Sequence, residues 1–282
     1  MRVQVGDGRL FFDVEGASLV PDGPRMRERP TLLMLHGGPG ADHSVFKPDF
    51  SPIADIAQVI YLDHRSAGRS DRTGPERWTL DHWGDDVRAF CEALEIKRPI
   101  VMGTSFGGMV AMAYATRHPD HPSKLILCST AARVDLARVY AAFERRGGRE
   151  AAEAALRFFG DPSAQNGPDF LRLCMPLYSY LPDPHLMEMF VRMVGNAELN
   201  EHYLRAIETS FNLLPDLHRI MCPTLVLAGE EDPVTPPADS LDIAAALPHG
   251  LARLVRFAKA GHGIVNDDRA RFMNTLREFI LS

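Results

Sequence analysis

The sequence has few cysteines and no long apolar run. Its four cysteines, Cys91, Cys128, Cys174 and Cys222, are widely spaced, and none belongs to a C-x-x-C pair. We therefore expect reduced, packed thiols rather than disulfides or metal ligands. No stretch approaches the roughly 18 apolar residues of a membrane span, and residues 1–7 contain no apolar signal core. By default, these absences predict a cytoplasmic protein without a membrane partner.

Positive charge is scarce as well. The chain has 31 lysine and arginine residues against 37 aspartate and glutamate residues, and its formal net charge is -6. No basic run appears, so nucleic acid is not an expected partner. No internal repeat is present. With 45% hydrophobic and 24% charged residues in a chain of 282, the composition is that of a globular protein with one large domain, or a domain with an insertion.

Short apolar strands alternate with helical stretches along most of the chain. Residues 3–5 and 10–14 flank a Gly-Asp-Gly turn and predict a β-hairpin, and the Pro-, Gly- and charge-rich residues 19–30 predict a surface loop. Helices are predicted at residues 79–94 and 266–281 from the spacing of apolar side chains. Strands are predicted at residues 31–35, 59–62, 99–102, 124–128, 224–228 and 251–257. This alternation predicts an α/β fold with a mostly parallel central sheet and helices on both faces.

The strand rhythm stops between residues 132 and 217. This stretch is helix-like and rich in Met, Phe and Tyr, and we interpret it as a helical cap inserted into a core domain made of residues 1–131 and 218–282. Side chains of the cap that are candidates for a substrate pocket are Phe158, Phe159, Met175, Tyr178, Tyr180, Met187, Met189 and Met193.

Residues 103–107, Gly-Thr-Ser-Phe-Gly, lie between a predicted strand and a predicted helix. A strand, a G-x-S-x-G turn and a helix are the context of a nucleophile elbow, in which a tight, strained turn raises the serine hydroxyl above the sheet. Small residues must flank Ser105, because side chains there would collide. The pattern predicts Ser105 as a nucleophile, which then needs a base, an acid and an oxyanion hole.

Two later strand ends offer the acid and the base. The strand at 224–228 is followed by Gly-Glu-Glu-Asp-Pro, and the strand at 251–257 is followed by a turn that contains Ala-Gly-His-Gly. Open α/β sheets place their sites at such carboxyl ends. We predict Asp232 as the acid, with Glu230 and Glu231 as rivals, and His262 as the base that takes the proton from Ser105.

The oxyanion hole needs two backbone N–H donors. One is predicted to be the N–H of Phe106, directly after the nucleophile. The other should come from residues 36–40, His-Gly-Gly-Pro-Gly, where glycines allow a close approach of the backbone. Gly38 is the first choice and Gly37 the alternative, and His36 is expected to hydrogen-bond the loop.

Three loops together resemble those of the proline iminopeptidase-like branch of the α/β-hydrolase fold. They are residues 36–40 (HGGPG), 63–70 (DHRSAGRS) and 103–108 (GTSFGG), where the family has HGGPG, DQRGxGRS and GGSWG. The resemblance covers most of the chain outside the cap. It implies Ser105, Asp232 and His262 as the catalytic triad, with no metal or organic cofactor. In this family Asp63 and Arg65 would brace the loop that carries them.

The chain departs from the family where the substrate would bind. Iminopeptidases anchor the free amino group of the substrate with cap glutamates, one in a stretch such as IENHYF, and residues 199–204 here are LNEHYL. The glutamate position is therefore Asn200, with Glu201 one place later and Glu198 two places earlier. One residue turns a helix by about 100°, so a displaced carboxylate can face away from the site. Candidate substrate contacts are Gly37, Tyr178, Glu198, Asn200 and Glu201.

These residues predict a serine hydrolase that cleaves small carboxylic esters or amides through an acyl-enzyme. The alternatives are a proline iminopeptidase-type aminopeptidase, an acyl-lactone hydrolase, and a ligand-binding member of the fold without hydrolytic activity. The expected partner is a small ester, amide or short peptide, and a homo-oligomer is compatible with the sequence. A carboxylate of the cap facing Ser105 would favour the peptidase, and an apolar pocket would favour the esterase.

Overall fold

A computed structural model describes residues 1–163, 165–182, 186–206 and 210–282, with the side chains of Met187 and Ala206 left out. Eight strands form one sheet. They are β1 Arg2–Val5, β2 Gly8–Glu15, β5 Thr31–Leu35, β6 Gln58–Leu62, β7 Ile100–Thr104, β8 Lys124–Cys128, β9 Thr224–Gly229 and β10 Ala252–Phe257. Their order in the sheet is β1-β2-β6-β5-β7-β8-β9-β10. The six strands from β5 to β10 are parallel, and β1 and β2 add an antiparallel edge. The predicted α/β fold with a mostly parallel central sheet is confirmed.

The sheet is buried on both faces, as its apolar strands require. In β5, Leu33 and Leu35 belong to a core cluster on one face, and Leu32 and Met34 belong to a second cluster on the other. This period of two follows from the strand pleat. The helices that cover the sheet are α1 Leu80–Ala93, α2 Phe106–Arg117, α7 Pro237–Ala246, α8 Ile264–Asp267 and α9 Arg269–Leu281.

The stretch from residue 19 to residue 30 corrects a prediction. It is not an irregular loop, because Leu19–Asp22 (β3) and Arg25–Glu28 (β4) pair as an antiparallel hairpin outside the main sheet. Gly23, with φ 59°, supplies the left-handed position of the turn after Asp22. The Asp-Gly pair was the signal for this hairpin, and the exposed, charged strands hid it.

The segment between β8 and β9 is helical, and its described residues contain no strand. Its helices are α3 Leu136–Gly160, α4 Gly167–Leu173, α5 Leu186–Arg192 and α6 Ala197–Ala206. Helix α3 is interrupted at Gly148, whose φ of 76° lies outside the helical region. The division of the chain into a core and a cap at residues 132–217 stays a prediction, and we call this stretch the helical segment.

None of the helices in the described ranges has the length and apolar character needed to cross a membrane.

Candidate active site

Ser105 lies in the turn between β7 and α2, with φ 54° and ψ -122°. Such a backbone conformation is strained for a residue with a side chain, and it persists only where surrounding contacts hold it. The Ser105 N–H donates to the carbonyl of Cys128 (3.0 Å), and the Thr130 hydroxyl donates to the Ser105 carbonyl (2.7 Å). Both partners come from the end of β8 or the residues after it, so the neighbouring strand fixes the turn.

Glycines flank Ser105 because the backbone leaves no room for a Cβ. A Cβ on Gly103 would lie within 3.0 Å of the Gly107 carbonyl, and one on Gly107 would lie equally close to the carbonyl of Leu35. Real Cβ atoms do not approach backbone atoms so closely, so a larger residue would push the strand and the helix apart. The prediction that small residues must surround Ser105 is confirmed.

Asp232 and His262 form a hydrogen-bonded pair at the carboxyl ends of β9 and β10. The distance from His262 Nδ1 to Asp232 Oδ2 is 2.8 Å. Asp232 is fully buried, and its Oδ1 accepts the N–H groups of Val234 (2.8 Å) and Thr235 (3.0 Å). The Thr235 hydroxyl donates to Oδ2 (2.8 Å). With these donors in place, the carboxylate is held in one orientation toward the imidazole.

The rival carboxylates point elsewhere. Glu230 accepts a hydrogen bond from the Arg256 guanidinium (2.8 Å), and the Glu231 carboxylate lies 3.7 Å from the guanidinium of Arg145. The structure therefore brings Asp232, and neither glutamate, to His262.

The glycine loop after β5 is held by two histidines. His36 Nδ1 lies 2.9 Å from the Gly37 carbonyl oxygen, and the backbone N–H of His64 donates to His36 Nε2 (3.3 Å). Because Nε2 accepts, the proton of the neutral ring is on Nδ1, which donates to Gly37. In a trans peptide the C=O and N–H point in opposite directions, so this bond also orients the N–H of Gly38. The expected role of His36 in hydrogen-bonding the loop is confirmed.

Burial changes the titration of these two rings. Both are buried, and removal from water lowers the pKa of His36 and lowers that of His64 well below its usual range. The folded protein therefore keeps both rings neutral at pH values where an exposed histidine takes up a proton.

Acid is expected to destabilise the fold through this pair. Unfolded histidines titrate near pH 6.5, so below that pH the unfolded chain binds protons that the folded chain excludes. The free energy of unfolding should fall by up to about 1.4 kcal/mol per pH unit for each ring, down to the pKa of the folded state, and neither ring should contribute above pH ~6.5. Urea unfolding between about pH 7.5 and pH 5.5 measures this slope.

A matched pair of variants assigns the slope. His64→Gln keeps an N–H donor that can reach the His36 carbonyl, which His64 Nε2 contacts at 3.3 Å, but it does not titrate. It should remove the contribution of one ring from the pH slope. His249→Gln, at an exposed position, should leave the slope unchanged. An equal slope in the wild type and His64→Gln would contradict the assignment.

Asp63 and Arg65 brace the loop that follows β6. Asp63 Oδ1 accepts the backbone N–H of His43 (2.8 Å), and Oδ2 accepts that of Arg69 (2.8 Å). The Arg65 guanidinium donates to Asp86 (2.7 Å) and Asp7 (2.8 Å). The predicted structural role of both residues is confirmed.

Asp42, His43 and Asp63 form the group in the described ranges whose ligand atoms are close enough to hold a metal ion. Their oxygens already have donors. Asp42 accepts from the Arg69 guanidinium (2.7 Å) and the Val194 N–H (3.1 Å), and His43 Nδ1 lies 2.7 Å from Asp63. These contacts describe a hydrogen-bonded cluster that fastens the helical segment to the core.

A cavity of about 120 Å³ opens onto Ser105. Its described walls are mostly apolar, and none of the described side chains in them carries a charge. They are Gly38, Pro39, Ser105, Phe106, Met109, Val134, Val139, Phe158, Phe159, Tyr178, Asn200, Tyr203, Leu204, Val234 and Thr235. The predicted nucleophile and the residues of both predicted oxyanion donors therefore line one apolar space.

The cavity separates the predicted substrate contacts into two groups. Tyr178 and Asn200 line it, and Gly37 packs against Ser105, with its ideal Cβ position 3.0 Å from the serine Cβ. Glu198 and Glu201 are exposed and line a different, open pocket beside Trp78. Neither glutamate is therefore a wall residue of the cavity at Ser105, and their predicted contact with substrate stays a prediction.

Several wall residues were not foreseen. Of the predicted pocket residues, Phe158, Phe159 and Tyr178 line the cavity, the described Met175, Tyr180, Met189 and Met193 are not among its wall residues, and the Met187 side chain lies outside the described residues. Met109, one helical turn after Ser105, and Thr235, three residues after Asp232, were missed. Their spacing from the predicted catalytic residues was the available signal.

Comparisons with known proteins agree with the fold described above. A family model described as the alpha/beta hydrolase fold matches residues 30–268. The chain is 30% identical over 273 residues to the proline iminopeptidase PfmaB of Pestalotiopsis fici, covering 90% of this chain and 92% of the relative.

Two solved structures share the fold with equal TM-scores. An esterase from Exiguobacterium antarcticum superposes with a TM-score of 0.78 at 20% identity, covering 100% of this chain and 99% of the esterase. A proline iminopeptidase from Mycobacterium smegmatis also gives 0.78, at 22% identity, covering 99% and 97% of the two chains. Because the two scores are equal, the shape of the backbone does not discriminate between the two activities.

Proposed function

The chain belongs to the α/β hydrolase fold family, and from that premise we propose that it is a serine hydrolase acting on small carboxylic esters or amides through an acyl-enzyme. The observation that carries the proposal is the Asp232–His262 pair, whose partners Thr235 and Tyr178 line the apolar cavity that contains Ser105 in a strained turn. A buried carboxylate, an imidazole and a serine at three strand ends are the parts needed for base-assisted acyl transfer.

In the proposed reaction, Ser105 Oγ attacks the substrate carbonyl while His262 Nε2 takes its proton. The carbonyl oxygen becomes an oxyanion, and the new C–O bond forms the tetrahedral intermediate. His262 then gives the proton to the leaving alcohol or amine as the scissile bond breaks. A water molecule repeats the cycle on the acyl-enzyme, with His262 as base and then as acid. Asp232 stabilises the imidazolium that forms in each half-reaction.

We assign the oxyanion to the N–H groups of Gly38 and Phe106. Both residues line the cavity beside Ser105. Phe106 begins α2, where the positive end of the helix dipole favours a negative charge. His36 holds the Gly37 carbonyl and so directs the Gly38 N–H away from that bond. Each such donor is worth roughly 3 kcal/mol in the transition state.

The described cavity walls carry no charged side chain, which favours a substrate with an apolar acyl group over one with an N-terminal amino acid. A substrate with a free amine would bring an ammonium group among side chains such as Val134, Val139 and Phe158. An ammonium buried without a carboxylate partner costs several kcal/mol, and the described cavity walls offer none. The relative named as a proline iminopeptidase makes an aminopeptidase the second candidate.

A pair of substrates that differ in one amino group tests the choice. Butanoyl p-nitroanilide and 2-aminobutanoyl p-nitroanilide share the leaving group and the carbon skeleton, so their kcat/KM ratio isolates the effect of the ammonium. We expect the butanoyl compound to be favoured by about a hundredfold or more, from the cost of the unpaired charge. A preference for the amine would replace the proposed esterase or amidase by an aminopeptidase.

Asn200→Asp is the matched variant for this comparison. Asn200 lines the cavity, and its amide donates to the Pro39 carbonyl (3.2 Å). Aspartate has nearly the same shape and places a carboxylate in the wall, so the ratio should move toward the amine. An unchanged ratio would show that charge in this wall does not set the specificity.

A further inference from the structure

The helical segment touches the backbone of the proposed base directly. The Tyr178 carbonyl accepts the N–H of His262 (2.6 Å) and, more weakly, that of Gly263 (3.3 Å). The Tyr178 ring also packs edge-on against the His262 ring, with centroids 5.3 Å apart. A Cβ on Gly261 would collide with the Tyr178 carbonyl, so this close contact requires glycine before His262. The loop that carries the proposed base, residues 260–263, thus packs against residues 178–181.

Asp267 joins the same two pieces of chain. Its Oδ2 accepts the N–H of Gly261 (2.8 Å), and both of its oxygens lie 2.9 Å from the N–H of Tyr180. Gly261 precedes His262, whereas Tyr180 belongs to the helical segment. Asp267 is the last residue of the short helix α8, five residues after His262. Its carboxylate therefore contacts the backbone of both chain segments. Hydrogen bonds to a charged acceptor are about twice as strong as neutral ones.

Arg146 makes a second bridge on the acid side. Its guanidinium donates to the Glu231 carbonyl (2.6 Å) and to the Ser179 carbonyl (2.9 Å). Glu231 immediately precedes Asp232. Residues 178–181 are therefore fastened to the loop of the base by Asp267 and to the loop of the acid by Arg146.

We propose that Asp267 is a positioning residue for His262. Asp267 keeps the imidazole of His262 hydrogen-bonded to Asp232 only while residues 178–181 are packed against the loop that carries His262. The inference rests on the proposed function and adds a dependence of catalysis on the helical segment. If that segment lifts, the His262 N–H loses its acceptor, and Asp267 loses the Tyr180 N–H that holds its carboxylate beside Gly261. Tyr178 also lines the substrate cavity, so substrate in the cavity contacts the element that holds the base.

Asp267→Asn tests the proposal against a neighbouring control. Asparagine keeps one acceptor oxygen, but its NH₂ group then faces a backbone N–H. We expect kcat for a p-nitrophenyl ester to fall about tenfold, the effect of one charged hydrogen bond, with KM unchanged because Asp267 is not in the cavity wall. Asp268→Asn makes the same change one residue later, where no side-chain cap hydrogen bond is made, and should match the wild type.

Backbone hydrogen exchange gives a readout that needs no activity. In Asp267→Asn, peptides covering residues 178–181 and 260–263 should both exchange faster than in Asp268→Asn, while the rest of the chain exchanges equally. Equal exchange and equal kcat in the two variants would overturn the proposal, and so would faster exchange with unchanged kcat. If the wild type hydrolysed no ester, the proposed function would fail, and exchange would still decide whether Asp267 fastens the two segments.

A double variant separates positioning from general loosening. Arg146→Gln removes the second bridge to residues 178–181. If both bridges hold the same segment, the loss in kcat of the double variant Arg146→Gln/Asp267→Asn should differ from the product of the two single losses. Multiplicative losses would mean that the two residues act independently, and they would contradict the proposal that both act through residues 178–181.

Discussion

Ester hydrolysis should fall by at least about 10⁴-fold when Ser105 is replaced by alanine, because loss of the nucleophile leaves only the oxyanion donors and the binding cavity. Labelling by a fluorophosphonate should disappear in the same variant, since the probe phosphonylates an activated serine. The turn should survive the change: alanine is close in size, and the contacts that hold Ser105 are made by its backbone N–H and C=O. The measurement is kcat/KM for p-nitrophenyl butanoate, with intact-mass analysis of the labelled protein.

Ser123→Ala is the control for this variant. Ser123 directly precedes β8, at the amino-terminal edge of the parallel strands, whereas Ser105 follows β7 at the opposite edge. Its replacement should leave both the rate and the labelling at wild-type values. Labelling that persists in Ser105→Ala, or a labelled peptide that does not contain Ser105, would contradict the nucleophile assignment.

The sheet was predictable because its central strands are short apolar runs that need burial. Residues 31–35 contain four consecutive apolar side chains, and a strand whose Leu32 and Leu33 face opposite clusters has to be covered on both sides. The catalytic candidates followed from position as well. Ser105, Asp232 and His262 each come after a strand, and parallel strands bring their carboxyl ends to one edge.

The apolar positions of α6 complete the rotation argument made from the sequence, because they show which side of the helix is buried. Leu199 and Tyr203 are buried, four residues apart on one face, and Asn200 lies about 100° from Leu199, at the edge of that face. Glu201 lies about 200° from Leu199, on the opposite side. The helix period therefore directs Asn200 toward the cavity and Glu201 toward solvent, as the structure shows.

Contacts between distant segments were beyond the reach of sequence patterns. Asp267 looks like one of several acidic residues before the last helix, and only the fold brings the Tyr180 N–H to it. The same holds for Arg146, whose two carbonyl partners lie 33 and 85 residues away. No local periodicity or motif encodes such pairs, because they depend on how the helical segment rests on the strand ends.

Asp232→Asn should reduce kcat/KM for the same ester by about 10⁴-fold, the typical loss when the acid of such a triad becomes its amide. His262 Nδ1 lies 2.8 Å from Asp232 Oδ2, and the other carboxylate oxygen is occupied by the N–H groups of Val234 and Thr235. These donors would bind the amide oxygen of asparagine and direct its NH₂ group at the imidazole. The ring would then present an acceptor at Nδ1 and a proton at Nε2, which is the tautomer that cannot take a proton from Ser105.

Glu230→Gln and Glu231→Gln are the matched controls, because they make the same change on the two neighbouring carboxylates. Both side chains pair with surface arginines rather than with His262, and such exposed ion pairs contribute at most about 1 kcal/mol. Their kcat/KM should stay within about threefold of the wild type. A 10⁴-fold loss in either glutamine variant, with Asp232→Asn active, would move the acid to that position. Because Asp232 is buried, thermal unfolding of all three variants must accompany the rates: a folded but inactive Asp232→Asn isolates the loss of the correct tautomer from the loss of the fold.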